Sequence, residues 1–417
     1  MPDVLDTITG SVADRLELDL EDATGSLRQG DAHAPAGEKS ARRSICLYTP
    51  SVDPSGMGAH MVDLVAEYVL HADVSLMCWP TVGGCRVLDR AAELGARILA
   101  LPPPRDPSFA EVIDAFLAEY RPDVFHVHVG LGVEDFDGAR VARRAGVPVI
   151  VQTQHLPFLL SNPRKRHAFL HAIEPVDRII AVSEALRRTY ERLGVPAERF
   201  TTIPNGVRPR GPGLGRSAAR DALGLAPDDL VVMTVGRLTR MKGQRYLVDA
   251  VPELSSRFPG LAVVILGTGP LSEHLAERAA ALGVDGCVRF AGHRGDARAL
   301  LDAADVFVLP SRHEGMPLAA IEAMDAGLPI VGTRVVGTEE VVADGETGTL
   351  VPAEDAPALA AALAELLSDG DLRTRYGEAG RRRYLEHFTA TQMAAKTRDA
   401  YAQELRARAA GLPRSGA

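Results

Sequence analysis

Glu314 and Glu322 stand eight positions apart in Ser311-Arg312-His313-Glu314-Gly315-Met316-Pro317-Leu318-Ala319-Ala320-Ile321-Glu322-Ala323-Met324. The preceding apolar run Val306-Phe307-Val308-Leu309 ends at Pro310 and predicts a buried strand. Pro317 lacks the N–H that a first helical position leaves unused, so it predicts a helix start. Glu314 then falls in the strand-to-helix loop. Glu322 falls on the second turn, its side chain tilted back toward the helix start. The unpaired N–H groups of that first turn form an anion site between the two carboxylates. Glutamates on a helical stretch are ordinarily solvated surface. A hydrolytic pair is the sharper rival, but it must face one bond from roughly 5–10 Å apart. Eight helical positions rise about 12 Å and turn about 80°, which suits gripping two parts of one long ligand. A phosphate flanked by hydroxyl-binding carboxylates describes a nucleotide-sugar pocket.

Cations for such a phosphate come from an earlier segment. The strand-like Val231–Val235 runs into Gly236-Arg237-Leu238-Thr239-Arg240-Met241-Lys242-Gly243, with a helix expected from Gln244. Gly236 lets backbone approach a ligand, and Arg237 and Lys242 together suit a doubly charged diphosphate. Charge-assisted hydrogen bonds of this kind contribute about 1.5–3 kcal/mol each. The reading fails if those basic groups are buried in intramolecular ion pairs or turned away from the gap between the halves.

Other segments offer weaker signals. Ser55-Gly56-Met57-Gly58-Ala59-His60 reads as a loop that follows the first strand and opens the first helix, with Gly56 and Gly58 close to a phosphate or sugar. A dinucleotide site would want Gly or Ala at Met61 and an acidic residue where Cys78 and Trp79 stand. Gly267-Thr268-Gly269-Pro270 is another strand-end glycine loop without that fingerprint. His155 ends the run Val149–Gln154, where it could donate to a ligand or shuttle a proton. His126 reads as structural, and His128 stays open. Asp135-Phe136-Asp137 lacks further ligands and reads as solvent-exposed, so no metal site is expected. Arg164-Lys165-Arg166-His167 reads as a solvated basic face that an acidic acceptor or anionic membrane could use.

The elements that must position these residues follow from the pattern of apolar runs. At 417 residues the chain exceeds one core and implies two domains. Short apolar runs alternate with amphipathic stretches from Ser44 onward, the rhythm of a parallel sheet covered by helices. A Pro/Gly/Arg-rich stretch at 207–216 interrupts the rhythm, which restarts at Leu230. We therefore expect an acidic, disordered leader over residues 1–43, with nine Asp/Glu against five Lys/Arg. An N-terminal α/β domain over 44–206, a C-terminal α/β domain over 207–385, and helices with a tail over 386–417 follow. Ligands of open α/β sheets bind outside the carboxyl ends of the strands, here in the cleft between the halves. The net charge of −9 argues against nucleic acid as a partner. Four scattered cysteines without zinc spacing fit a reducing cytoplasm. The acidic start predicts no signal peptide, and no apolar stretch approaches the ~18 residues of a membrane span.

Taken together these residues resemble the retaining glycosyltransferases of family 4, also called group 1, which have the GT-B fold of two Rossmann-like domains. The resemblance runs from about Ser44 to the last helices. It is carried by Ile203-Pro204-Asn205-Gly206-Val207, Val235-Gly236-Arg237 with Lys242-Gly243, the Glu314–Met324 segment, Gly327-Leu328-Pro329-Ile330-Val331, Glu340, and Asp344-Gly345-Glu346-Thr347-Gly348, in the family's order. Where the family often has two glycines before Glu340, this chain has Val336-Gly337. The resemblance implies that Gly236, Arg237 and Lys242 hold the donor diphosphate, with Gly267 and Gly269 lining the donor site. It implies that Glu322 binds the ribose, and that Glu314 and the backbone of Gly315, Met316 and Leu318 contact the transferred sugar. The Gly56–Gly58 segment would close over donor and acceptor, and His155 would sit near the sugar. His155, Arg237, Lys242 and Glu314 are thus the catalytic candidates. No cofactor is expected beyond an NDP-sugar co-substrate, and no metal. The final helix, around Phe388–Leu405, would cross back to the first domain. The implied activity moves a hexose-type sugar to an acceptor that could be a small metabolite, a natural product or a lipid. A GT-B nucleotide-sugar epimerase or a non-catalytic nucleotide-sugar sensor are the alternatives.

Overall fold

A computed structural model describes residues 42–51, 54–103, 106–130, 137–157 and 162–412. The expected leader (1–41 of it) and the Asp135-Phe136 part of the acidic triplet lie outside the described residues.

The first half folds into a seven-stranded parallel sheet. Its strands are β1 (Arg43–Thr49), β2 (Ala72–Cys78), β3 (Arg97–Ala100), β4 (Val124–Val129), β5 (Val149–Gln154), β6 (Arg178–Ala181) and β7 (Phe200–Thr202), in the order β3-β2-β1-β4-β5-β6-β7. The second half forms a six-stranded parallel sheet from β8 (Leu230–Val235), β9 (Leu261–Leu266), β10 (Val288–Gly292), β11 (Val306–Leu309), β12 (Ile330–Thr333) and β13 (Gly348–Val351), in the order β10-β9-β8-β11-β12-β13. Strands covered by helices on both faces read as continuous apolar runs. β4, β5, β9 and β11 are buried along their whole length. Each predicted run became a strand, and β1 also takes in Arg43, assigned from sequence to the leader. Strand order reverses between β1 and β4 and between β8 and β11, the two places where loops diverge and leave a crevice.

One expectation needs correcting. Gly56 and Gly58 do not form a loop: a helix runs Ser55–Tyr68, and Gly58 N donates to Pro54 O at 2.6 Å to close its first turn. A Cβ on Gly58 would stand 2.5 Å from Val87 Cγ2 on the neighbouring helix Val82–Glu93. That glycine permits helix packing.

The chain's last helix, Ala390–Ala409, lies on the first half. Tyr68 Oη donates to Ala394 O at 3.1 Å, Arg178 pairs with Glu404 at 2.6 Å and Arg408 with Asp177 at 2.8 Å. Tyr401 Oη lies 2.6 Å from Nδ1 of the fully buried His126, whose Nε2 meets Thr153 Oγ1 at 2.7 Å. His126 is therefore structural, as expected. Among the described residues no helix is long and apolar enough to cross a membrane.

Replacing Tyr401 with Phe leaves His126 Nδ1 buried without its partner. We expect a loss of about 1–3 kcal/mol in urea unfolding; an unchanged midpoint would show that this bond does not help hold the last helix down.

Candidate active site

The second half builds its site on the two loops that leave β8 and β11 at the switch point. The first carries Gly236 to Gly243, with Arg240–Lys242 in a single 3₁₀ turn before the helix Gln244–Arg257. Gly243 has φ 64°, and a Cβ there would overlap Pro310 O at the end of β11, so only glycine lets the loops touch. Arg312 N donates to Met241 O at 2.8 Å, and Gln244 Nε2 donates to Arg237 O at 2.9 Å. Gly267 and Gly269 also serve loop packing. A Cβ on Gly267 would overlap Gly236 O, and one on Gly269 would stand 2.5 Å from Leu238 O.

This contact brings Lys242 to Glu314. Lys242 Nζ donates to both carboxylate oxygens, at 2.8 and 2.9 Å, and Ser311 Oγ donates to Oε1 at 2.6 Å. Glu314 is nearly sealed, whereas the Lys242 side chain keeps 25% of its surface and Arg237 is exposed. One of the two expected phosphate-binding cations is therefore already held by an acidic neighbour, at the edge of solvent rather than in the interior. A diphosphate reaching it must share or displace Glu314. Immediately after this loop, Pro317 stands at the N-cap and the helix begins at Leu318, one position later than expected. The first N–H groups of that helix have no partner within it.

Glu322 sits on this helix with its Oε1 3.8 Å from Arg298 Nε. Burial pushes its carboxyl up to about 7; the Arg298 guanidinium opposes the rise and the Asp63 carboxylate adds to it. Arg298 is fixed by bonds to Arg208 O at 2.5 Å and to Asp325 at 3.0 Å, and Arg208 pairs with Asp63 at 2.6 Å. Asp325 also pairs with Arg381.

The first half meets these loops directly. A Cβ on Gly315 would overlap His155 O, and one on Gly337 (φ 78°) would overlap Gly315 O. Val336 needs no positive φ, so the family's other glycine is dispensable here. Ser183 Oγ donates to Gly315 O at 2.8 Å. Both oxygens of Glu340 accept from the first amides of the helix Glu184–Glu191, at 2.9 Å from Glu184 N and 2.7 Å from Ala185 N. Gly56 stands opposite Leu318, whose Cδ1 would be 3.7 Å from an added Cβ.

His155 follows β5 at this seam, beside His60 and His128. His128 Nδ1 and His155 Nε2 lie 3.2 Å apart, and His60 Nδ1 lies 3.1 Å from Asn205 Oδ1. The Asn205 amide nitrogen donates to Met316 O at 2.9 Å. One nitrogen of each ring falls within 4.8 Å of the others, the sole such metal-capable group among the described residues. The cluster fits a metal poorly. The His128–His155 bond leaves one of those rings with its proton on the remaining nitrogen, so both cannot be ligands while it persists.

The fold thus places Gly236, Arg237, Lys242, Glu314, Gly315, Met316 and Leu318 on the segments that leave β8 and β11, Glu322 on the helix that follows, and Gly56 and His155 against them from the first half. At Gly58, Gly267 and Gly269 the structure shows close packing that leaves no room for a side chain. Arg164, Arg166 and His167 are exposed on the helix Pro163–Ala172, away from these bonds. Reading the sequence assigned no role to His60, Asn205, Ser311 or Arg298. Asn205 lay within a quoted motif and His60 at the end of another, but their pairing spans 145 positions.

Comparison with known proteins agrees with this geometry. Residues 54–210 match the pattern of Glycosyltransferase Family 4, and residues 215–383 that of Glycosyl transferases group 1. The GDP-mannose-dependent alpha-(1-6)-phosphatidylinositol monomannoside mannosyltransferase of Mycolicibacterium smegmatis is 30% identical over 354 residues, 80% of this chain and 91% of that protein. The lipopolysaccharide core biosynthesis glycosyltransferase LpsE of Rhizobium meliloti is 38% identical over 195 residues, 46% of this chain and 55% of its own length. Anabaena HepE, solved with UDP and glucose, superposes with a TM-score of 0.75 at 19% identity, covering 87% of this chain and all of that one. Two facing parallel-sheet domains with a C-terminal helix packed on the first make a GT-B fold, and the chain belongs to the group 1, family 4 glycosyltransferases.

Proposed function

We propose that this glycosyltransferase moves a hexose from a nucleoside-diphosphate sugar to a hydroxyl acceptor with retention at the anomeric carbon and without a metal ion. The observation that carries the reading is the meeting of Lys242, Glu314 and the start of the helix Leu318–Asp325 at the β8/β11 switch point, facing His155. A relative named for GDP-mannose-dependent transfer, and a neighbouring fold solved with UDP and glucose, support a nucleotide-sugar donor.

In this reading the diphosphate lies between Arg237, Lys242 and the free amides at the helix start. Lys242 turns part of its charge from Glu314 to the phosphate as negative charge develops on the leaving group. These cations take the part that a divalent ion plays at other diphosphates. The bond between anomeric carbon and diphosphate oxygen breaks, the acceptor oxygen bonds that carbon on the same face, and its proton passes to the departing phosphate. Glu314 has both oxygens engaged by Lys242 and is poorly suited to a covalent intermediate. It orients Lys242 and meets the sugar as Lys242 turns away. Glu322 accepts from the ribose hydroxyls. Closure of the seam excludes water that would hydrolyse the donor.

NDP release from a panel of UDP-, GDP- and ADP-sugars, with and without acceptor alcohols, tests the class. Acceptor-dependent release supports transfer. A changed nucleotide sugar without release would replace it with epimerisation. Lys242→Ala should lower kcat/KM by about 10²-fold, or ~3 kcal/mol; near-native turnover would remove Lys242 from the mechanism. Glu322 gives a pH signature. Its carboxyl is protonated below about 7, so donor binding should tighten by about tenfold between pH 6 and 8 as the carboxylate forms. Glu322→Gln should flatten that dependence. In stability the sign is the reverse: ionising Glu322 is unfavourable in the folded chain, a penalty absent below its unfolded value near 4.5 and complete above about 7.

A further inference from the structure

One peptide of the second half is held from the first half in a way the proposed reaction leaves unexplained. A Cβ on Gly315 would overlap His155 O, so this position must be glycine. A glycine leaves its peptide free to turn over. The unit in question, Gly315–Met316, lies between Glu314 and the start of the helix Leu318–Asp325. Ser183 sets its direction. Ser183 Oγ donates to Gly315 O at 2.8 Å. A hydroxyl has one proton, and Ser183 commits it to this carbonyl. A lone pair of the same oxygen caps the helix Glu184–Glu191 by accepting from Leu186 N at 3.2 Å. Ser183 is fully buried, so water does not compete for either bond.

The next carbonyl is held as well. Met316 O accepts from Asn205 Nδ2 at 2.9 Å, and Asn205 Oδ1 meets His60 Nδ1 at 3.1 Å. In a planar trans peptide the N–H points away from the C=O. The Ser183 bond therefore turns Met316 N–H away from the helix Glu184–Glu191. That N–H has no hydrogen-bond partner among the described residues, although Met316 is only 4% exposed. Buried backbone N–H groups without a partner are rare. The amide of Leu318, first in its helix, has no partner within that helix either. Two free donors thus stand on one short stretch after Glu314.

We propose that Ser183 is a positioning residue for transfer: by holding Gly315 O it presents Met316 N–H to an oxygen of the transferred sugar. Without that bond the peptide is free to turn, and its carbonyl would then face the sugar oxygen in place of the N–H. Ser183 belongs to the first half and Gly315 to the second, so this donor contact is complete only while the halves are together. Glu340 ties the same helix start to the second half through Glu184 N and Ala185 N. Closing the seam and setting the amide are therefore one event. The proposal rests on the donor reading above and extends it, because it gives a residue outside the donor half control over how the sugar is held.

The test uses the donor that turns over among UDP-, GDP- and ADP-glucose and -mannose, with the acceptor alcohol that supports release. Glycine is a tolerated helix cap but offers Gly315 O no proton. Ser183→Gly should lower the single-turnover rate at saturating donor by about tenfold or more, the scale of a misplaced positioning group. The Kd of the free nucleoside diphosphate should stay within about twofold, since the sugar and not the nucleotide loses its contact. Ser183→Thr keeps both the cap and the proton, and its rate should stay within about threefold. A second readout comes from protein carrying nitrogen-15 only at its nine methionines, with the Met316 signal assigned by its loss in Met316→Leu. Binding of the nucleotide sugar, beyond the effect of the free diphosphate, should move the Met316 amide proton downfield in the unaltered enzyme and not in Ser183→Gly. A hydroxyl that only caps its helix would leave that difference absent. The proposal is overturned if Ser183→Gly keeps its rate, if Ser183→Thr loses as much as Ser183→Gly, or if the Met316 signal responds alike with and without the hydroxyl. Failure of every nucleotide sugar to bind would overturn the donor reading as well. Turnover with no downfield shift at Met316 in the unaltered enzyme would overturn this proposal alone.

Discussion

The Lys242–Glu314 pair joins the loops that leave β8 and β11, and the rest of the site takes its position from that joint. Gly243 lets the loops touch, Ser311 fixes one carboxylate oxygen, and the Met241 carbonyl holds the backbone of Arg312. The result is a cation held ready by a nearly buried carboxylate while a quarter of its own surface stays open. An ammonium in that setting has a partner before a ligand arrives, so the loop avoids the penalty of an isolated charge near the interior. An arriving diphosphate can offer the same cation more negative charge than one carboxylate does.

The half of the site that faces this pair comes from a different sheet, so function requires the two halves to meet closely. Gly315 and Gly337 allow backbone to touch backbone where any side chain would hold the halves apart. Ser183 and Glu340 then tie the first half's strand-end helix to the Gly315 loop and to the helix Thr338–Val341, and the last helix secures the crossing from behind. These contacts are short and polar, and each can be remade, as a cleft that admits and releases a ligand requires. They lie beside Gly315, on the same loop that positions Glu314.

Much of the fold was legible because parallel strands covered on both faces must be written as unbroken apolar runs. β8 and β11 carry their boundaries in the sequence for that reason. The Arg237, Lys242, Glu314 and Glu322 positions were legible because strand-end loops in such a sheet converge on a switch point. Gly58, Gly267 and Gly269 were read as ligand-loop glycines, and the atoms that forbid a side chain there belong to Val87, Gly236 and Leu238. Local spacing cannot show which neighbour a glycine accommodates. The histidine cluster was equally hidden, since His60, His128 and His155 sit on three separate elements and meet only through strand order. The raised pKa of Glu322 likewise comes from burial beside Asp63, far away in sequence.

The most direct test is a crystal structure of the enzyme with a bound nucleoside diphosphate, read at the Lys242 ammonium. The account predicts Nζ within hydrogen-bond reach of a phosphate oxygen, with at least one Glu314 oxygen released or turned toward the sugar site. A diphosphate bound elsewhere, with Lys242 still donating to both Glu314 oxygens, would contradict it.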